Sequence, residues 1–314
     1  MEWSDRDDAC VTFDGARSEV LIESRTGRRP AIEVLADNAI KLKISANSLL
    51  RRIRIHRYSN QPSNFSTRLI LEVEGGAKLE IDEEIRQNST SNNQATHETG
   101  IILGEGAQLT WVQSGFFSST TESSQKHHVQ LDKQAQFSMG YFGMGGRKND
   151  FSSRIDLQGS GAIAKVHALQ LGRGREKHIQ SWESFHRVPE ASSEFQIAAL
   201  AEEISLCEMN GLLKVEVGAE KSSAIMKMKG LFRSTRAQIE GRPQLEILND
   251  NVQVAHGCAM SPIDPEQLFY LRSRGLSVAE AEDLIVRGFI SDFLHYRDDE
   301  QKDRLLKTIF GGVA

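Results

Sequence analysis

Cysteine is scarce in this chain: three in 314 residues, Cys10, Cys207 and Cys258, with no C-x-x-C pair. An odd number of unpaired thiols excludes a disulfide framework and makes each cysteine a free thiol. Proline is nearly as rare, and only Pro62 falls between Tyr58 and Gly161. That long stretch therefore keeps almost all of its backbone donors for sheet pairing. No apolar run approaches the ~20 residues of a membrane span. The opening MEWSDRDDAC lacks the basic-then-apolar layout of a secretion signal, so the expectation is a cytoplasmic protein with no membrane partner. Positive charge is not in excess either. Lys and Arg number 38 against 43 Asp and Glu, a formal net charge of -5, which argues against a general nucleic-acid binder. The one dense basic patch, Arg51, Arg52, Arg54 and Arg57, reads as a solvated strand face. Helical patterning is missing as well. Before Pro262 no segment carries a capped apolar stripe of period 3.6, Leu200 to Leu206 (LAEEISL) being the nearest candidate.

What is present is alternation. From about Ala31 apolar and polar residues exchange places over short runs: Ile40, Leu42, Ile44; RLILEVE from Arg68; KLEIDEEI from Lys78; QLTWVQ from Gln108. Such runs, bounded by Gly, Asn and Ser, are half-buried strands. A repeat organises them. An alanine, usually preceded by glycine and followed by alternating apolar residues, recurs at Ala77, Ala107, Ala135, Ala162, Ala191 and Ala219, at intervals of 27 to 30 residues. A unit of this size cannot bury its apolar face alone and does so by stacking on its neighbours. Strands without intervening helices, turned at regular corners, predict a parallel β-helix or solenoid, with a stacked meander or sandwich as the rival. The first 30 residues read as a lead-in holding one or two strands, Val20 to Ile22 in one of them. The β-helix core is expected over 31–262, and a small α-helical subdomain over 263–314.

The helical expectation rests on caps. Asp264, Pro265 and Gln267 form an N-terminal signature, and Gly275 stops the helix. Ser277 and Glu280 make a capping box for a second helix whose stripe is Ala281, Leu284, Ile285, Gly288 and Phe289. A third helix is expected from Asp298 to Phe310, ended by Gly311.

Chemistry-bearing patterns are few. GRGREKH at Gly172 lacks the GK[ST] ending of a phosphate loop and reads as a turn. None of the nine histidines falls in a zinc-type spacing, and His127 and His128 point to opposite faces of a strand. His256 and Cys258 differ, because residues two apart on a strand face the same side and Gly257 puts no side chain between them. Imidazole and thiolate are ligands for iron and softer metals. Two ligands do not hold a metal alone, so the remainder would come from elsewhere. A packed cysteine beside a hydrogen-bonded histidine is the plain alternative.

The run from Pro243 carries a resemblance: PQLEI, Val252, His256-Gly257, Ile263-Asp264, then EQLFYLRSRG from Glu266 and an alanine-rich helix ending at Phe289. It resembles the C-terminal region of SufB/SufD, the iron–sulfur assembly scaffold family, and more weakly the likeness extends back through GLLKVEVGAEKSSA at Gly211. The resemblance implies a mainly β chain: a right-handed parallel β-helix followed by a small helical subdomain. It implies a transient iron–sulfur cluster as cargo and pairing through the β-helix with a like or related protomer, as homodimer or heterodimer. A SufC-like ABC ATPase would dock on the helices, at Phe269, Tyr270, Leu271, Arg272, Arg274, Leu284 and Phe289. His256 matches the histidine of the SufD-type HGAT motif, so His256 and Cys258 are the expected metal ligands. The SufB-type glutamate after that histidine is Gly257 here, the SufB-type cysteine six residues before the proline is Ala237, and Cys258 stands where relatives usually have alanine. The N-terminal helical region typical of bacterial relatives is absent from this sequence, so a compact form is expected. The expected function is a non-catalytic scaffold, with a structural SufD-like partner that ligates no cluster as the second reading. A β-helical polysaccharide lyase or hydrolase is the reading from another class, and it lacks a recurrent aspartate at one coil position.

Overall fold

The computed structural model describes residues 9–14, 19–24, 31–36, 38–61, 63–294 and 296–310. Pro62 and Gly311, both used above, lie outside them. The chain opens with β1 (Ala9–Asp14), β2 (Glu19–Ser24), β3 (Ala31–Ala36) and β4 (Ala39–Ile44). Coiling then begins with β5 (Arg52–Ser59), β6 (Phe65–Val73), β7 (Lys78–Gln87), β8 (Asn93–Leu103), β9 (Gln108–Phe117), β10 (Thr121–Leu131), β11 (Gln136–Gly145) and β12 (Lys148–Leu157). It continues through β13 (Ile163–Gly172), β14 (Lys177–His186), β15 (Ser192–Ala201), β16 (Leu206–Val215), β17 (Ser223–Phe232), β18 (Gln238–Ile247) and β19 (Gln253–Pro262). Three helices close it: α1 (Pro265–Ser273), α2 (Val278–Ser291) and α3 (Asp299–Phe310).

From β4 onward each strand pairs in parallel with the strand two places on, so the odd strands from β5 to β19 lie in one sheet and the even strands from β4 to β18 in the other, while β1 with β2 and β3 with β4 pair antiparallel. The result is a parallel β-solenoid of about eight turns. The repeat alanines mark its corners. All six are buried, and each follows a residue of positive φ: Gly76, Gly106, Gln134, Gly161, Glu190 and Gly218. A left-handed residue at the third place of a tight turn favours glycine, which is why Gly-Ala recurs. Successive corners also bond along the stack, with Gly76 N–H donating to Glu105 O at 2.9 Å and Gly106 N–H to Lys133 O at 2.8 Å. The stretch LAEEISL is such a corner rather than a helix: β15 runs into it, Glu203 has φ 54°, and β16 leaves it. GRGREKH is likewise the turn between β13 and β14.

Inward residues fill the lumen with one continuous core that includes Leu69, Leu109, Trp111, Phe137, Trp182 and Phe195. At the first end β1 pairs in parallel with β5 and lays Phe13 into that core. The helices cover the outer face of the odd-numbered sheet, where Phe142, Leu169, Leu171, Ala198 and Leu200 meet Val286, Ile290, Phe293, Leu305 and Ile309. The caps are as expected from the sequence. Asp264 accepts from Glu266 N–H at 2.9 Å, Ser277 and Glu280 form a capping box, and Gly275 takes φ 99°. A further box is present at α3, where Asp298 and Gln301 exchange bonds of 3.0 and 2.8 Å. The buried stripe of α2 is rotated from the expected one: Ala281, Val286 and Ile290 are buried and Leu284 is exposed.

The basic patch is not a solvated face. Arg52 pairs with Asp298 at 3.3 Å and Arg54 with Asp82 at 3.3 Å, on the side covered by α3. Arg57 points the other way, into the lumen, and is fully buried. Alternation accounts for this, since Arg57 shares its parity with the buried Ile53 and Ile55.

Candidate functional site

Among the described residues no strand lies beyond the last turn of the solenoid. β18 and β19 are the terminal strands of their sheets, so each has one edge without a neighbouring strand. Edges of this kind accept another strand. The register shows which residues look inward there. On β19, His256 lies beside Met226 and Cys258 beside Met228, and both methionines are buried in the core. On β18, Ile239, Gly241, Pro243, Leu245 and Ile247 continue the inward columns of β16. The end of the lumen is thus a largely apolar floor that carries one imidazole, His256, and one thiol, Cys258. Both are exposed, because no further coil lies over them.

The pairing expected from their spacing is therefore present: one strand, one face, about 7 Å apart along the chain. Cys258 is also the accessible thiol of the three. Cys10 and Cys207 are buried, and burial together with the nearby Glu176 pushes the Cys207 thiol up to about 12. Partial burial raises the Cys258 thiol above the ordinary range more modestly. Among the described residues no three of His, Cys, Asp and Glu gather where they would hold one metal ion. Gly257 faces open space, and a Cβ placed there would meet nothing within 4 Å. Ala237 is buried at the start of β18.

The residues expected at the ATPase contact divide into two groups. On α1 and its C-cap Arg274 none is buried: Phe269 is 73% exposed and Tyr270 55%, Arg272 and Arg274 are exposed, and Leu271 is half-buried. Arg274 lies over the Tyr270 ring at 5.1 Å. On α2, Leu284 is exposed, whereas Phe289 turns inward against Phe293 with ring centroids 5.6 Å apart.

The sequence profile of the family described as SUF system FeS cluster assembly, SufBD core domain, matches residues 54–289. The chain belongs to the SufBD family. It is 26% identical over 245 residues to the iron–sulfur cluster assembly protein SufD of Escherichia coli, covering 76% of this chain and 57% of that one. The SufD of Bacillus subtilis is 23% identical over 251 residues, 79% of this chain and 57% of its own length. The SufB of the same organism is 30% identical over 138 residues, 44% of this chain and 30% of that one. The matched region thus spans little more than half the length of these SufD relatives. The match starts within β5, takes in the remaining coils and continues through α1 to the last turn of α2.

A second polar constellation escaped the sequence reading. In the lumen Arg57 donates through Nε to Glu83 at 2.6 Å and through its terminal nitrogens to Thr67 and Thr99 at 2.8 Å each. Glu83 also accepts from Trp111 Nε1 at 3.0 Å, and Thr67 stands 2.8 Å from His97 Nδ1. Burial raises the Glu83 carboxyl, opposed by Arg57. Burial lowers His97, and it takes His127 down to about 3. The parity of Arg57 with Ile53 and Ile55 was the available signal.

Proposed function

We propose that this chain is a non-catalytic scaffold subunit of iron–sulfur cluster assembly that works with a SufC-like ABC ATPase. A nascent cluster, as cargo, is held between two protomers next to His256 and Cys258. The observation that carries the reading is the open last turn: an accessible thiol and an imidazole share one face of an edge strand. Membership of the SufBD family supports the cargo. Cys258 supplies a thiolate once its proton leaves, and His256 a neutral ring nitrogen. One chain offers two ligands, and a second copy or a related protomer brought edge to edge completes the set. The exposed Phe269, Tyr270, Arg272 and Arg274 on α1, with Leu271 beside them, offer the ATPase an aromatic and cationic contact. Leu284 and Phe289 extend that contact onto α2. The helices are the ATPase-docking subdomain and the coils the scaffold core.

The test is anaerobic reconstitution of the chain with ferrous iron and sulfide. Wild type is expected to develop the visible absorption of a cluster, and His256→Ala and Cys258→Ser to lose most of it. Equal cluster content in all three removes both residues from the mechanism. For the partner, Tyr270→Ala with Arg272→Ala is expected to abolish co-purification with the cognate ATPase and to leave the far-ultraviolet circular dichroism unchanged. Retained co-purification would place the contact elsewhere. A second reading is favoured by Ala237 and Gly257, which stand where SufB-type members carry a cysteine and a glutamate. In it the chain positions the ATPase against a separate scaffold and ligates nothing, and the reconstitution result decides between the two.

A further inference from the structure

The open end of the lumen is lined with sulfur. Met226 and Met228 on β17 are fully buried, Met260 on β19 is half-buried, and Cys258 is exposed between them. On the facing strands, space has been left for these side chains. Gly241 on β18 has no side chain where a Cβ would lie 2.5 Å from Cys258 Sγ and 3.6 Å from Met228 Sδ, and would overlap the methyl of Met260. Gly211 on β16 repeats the arrangement one coil earlier, where a Cβ would overlap Met226 Sδ and lie 2.7 Å from Met228 Cε. The ends of a thiol and two thioether side chains therefore meet beside Gly241, Cys258 by its Sγ, Met228 by its Sδ and Met260 by its methyl.

The chemistry of the lining is selective. Among the inward residues of β18 and β19 there is no carboxylate: they are Ile239, Gly241, Pro243, Leu245, Ile247, Val254, His256, Cys258 and Met260. Hard divalent cations require oxygen ligands, which are missing here. Thiolate and thioether ligands select soft monovalent copper. The position is reachable, because Cys258 borders solvent at the uncapped turn.

We propose that this end of the solenoid is a Cu(I) site formed by Cys258 Sγ with the thioethers of Met228 and Met260. The thiol gives its proton to the buffer as the copper–sulfur bond forms. The two glycines admit the ligands by leaving the opposite wall empty. The site shares Cys258 with the scaffold reading but does not rest on it, and in a copper-loaded chain the exposed thiol is taken from iron.

The test is anaerobic competition between the full-length apo chain and the chromophoric chelator bathocuproine disulfonate for Cu(I). Wild type is expected to retain one copper per chain. Cys258→Ser should retain none. Met228→Leu with Met260→Leu, which keeps the volume and removes the thioethers, should weaken retention by ~tenfold or more. His256→Ala should hold copper as wild type does, while failing in iron reconstitution, which separates the two readings. Gly241→Val, checked for folding by circular dichroism, should lower copper retention by filling the wall. No copper on wild type overturns the proposal, and so does undiminished affinity in the Met228→Leu, Met260→Leu variant.

Discussion

At position 57 a guanidinium without exposed surface is held by Glu83, Thr67 and Thr99 inside the lumen. Removing one partner of a buried ion pair leaves the other charge uncompensated. Glu83→Ala is therefore expected to destabilise the chain by ~3–5 kcal/mol, read from the urea midpoint. The buried imidazoles set the acid response. Burial lowers His127 to about 3, His186 to about 4, and His97 well below the ordinary value of 6.5. In the unfolded chain each binds a proton near 6.5, whereas in the folded chain it does so only at much lower pH. The unfolded state thus holds more protons between those limits, and stability falls as pH drops below about 6.5. Asp156 acts in a lower window. Burial pushes its carboxyl up, but hydrogen bonds from Arg154, His128 and Arg187 outweigh that and hold it at about 2. Its contribution is intact above the unfolded value of 3.8 and is lost as pH falls towards 2. A series of urea midpoints against pH is expected to decline from about pH 6.5, with a shallower decline in His127→Gln.

At the level of elements, Glu202 holds the helices to the coils. It accepts from Arg173 at 2.7 Å and from Arg233 at 3.1 Å. Arg173 also donates to Ile309 O on α3 at 2.8 Å, and Arg233 pairs with Asp283 on α2 at 2.6 Å. Glu202→Ala is expected to speed amide exchange in α2 and α3 and to leave β9 to β16 protected. Unchanged exchange in the helices would mean that the apolar contacts around Leu200 and Ile290 suffice. These elements also show what was readable in advance. The Ala77-to-Ala219 repeat gave the coil because each corner imposes the same backbone demand, and Asp264, Gly275 and Ser277 gave the helix ends because caps are local. The rotation of the α2 stripe was not readable, since the burying surface is the outer face of a distant sheet. That face does leave a trace, for Ile197 to Ala201 and Ala168 to Leu171 are buried without alternation, as in strands covered on both sides. At the candidate site, the shared face of His256 and Cys258 followed from spacing alone. The glycines opposite did not, because strand register across the lumen is not written in any short run.

For the molecule as a whole, the consequence of stacking is that among the described residues no coil succeeds β18 and β19. β1 pairs onto the first end and lays Phe13 into its core, while β18 and β19 at the last end keep free edges with Leu245 and Ile247 part-exposed along β18. Free strand edges of this kind are templates for edge-to-edge pairing with another chain. On the proposed reading, such assembly would put His256 and Cys258 in the junction between protomers and make it a condition for holding the cargo. Native mass spectrometry of the anaerobically reconstituted chain tests that claim most directly, because one spectrum reports both subunit number and bound iron. The account predicts iron and sulfide on species containing two solenoid subunits, bare single chains, and iron-free assemblies for His256→Ala and Cys258→Ser. Iron carried at full occupancy by single chains, or equally by both variants, would contradict it.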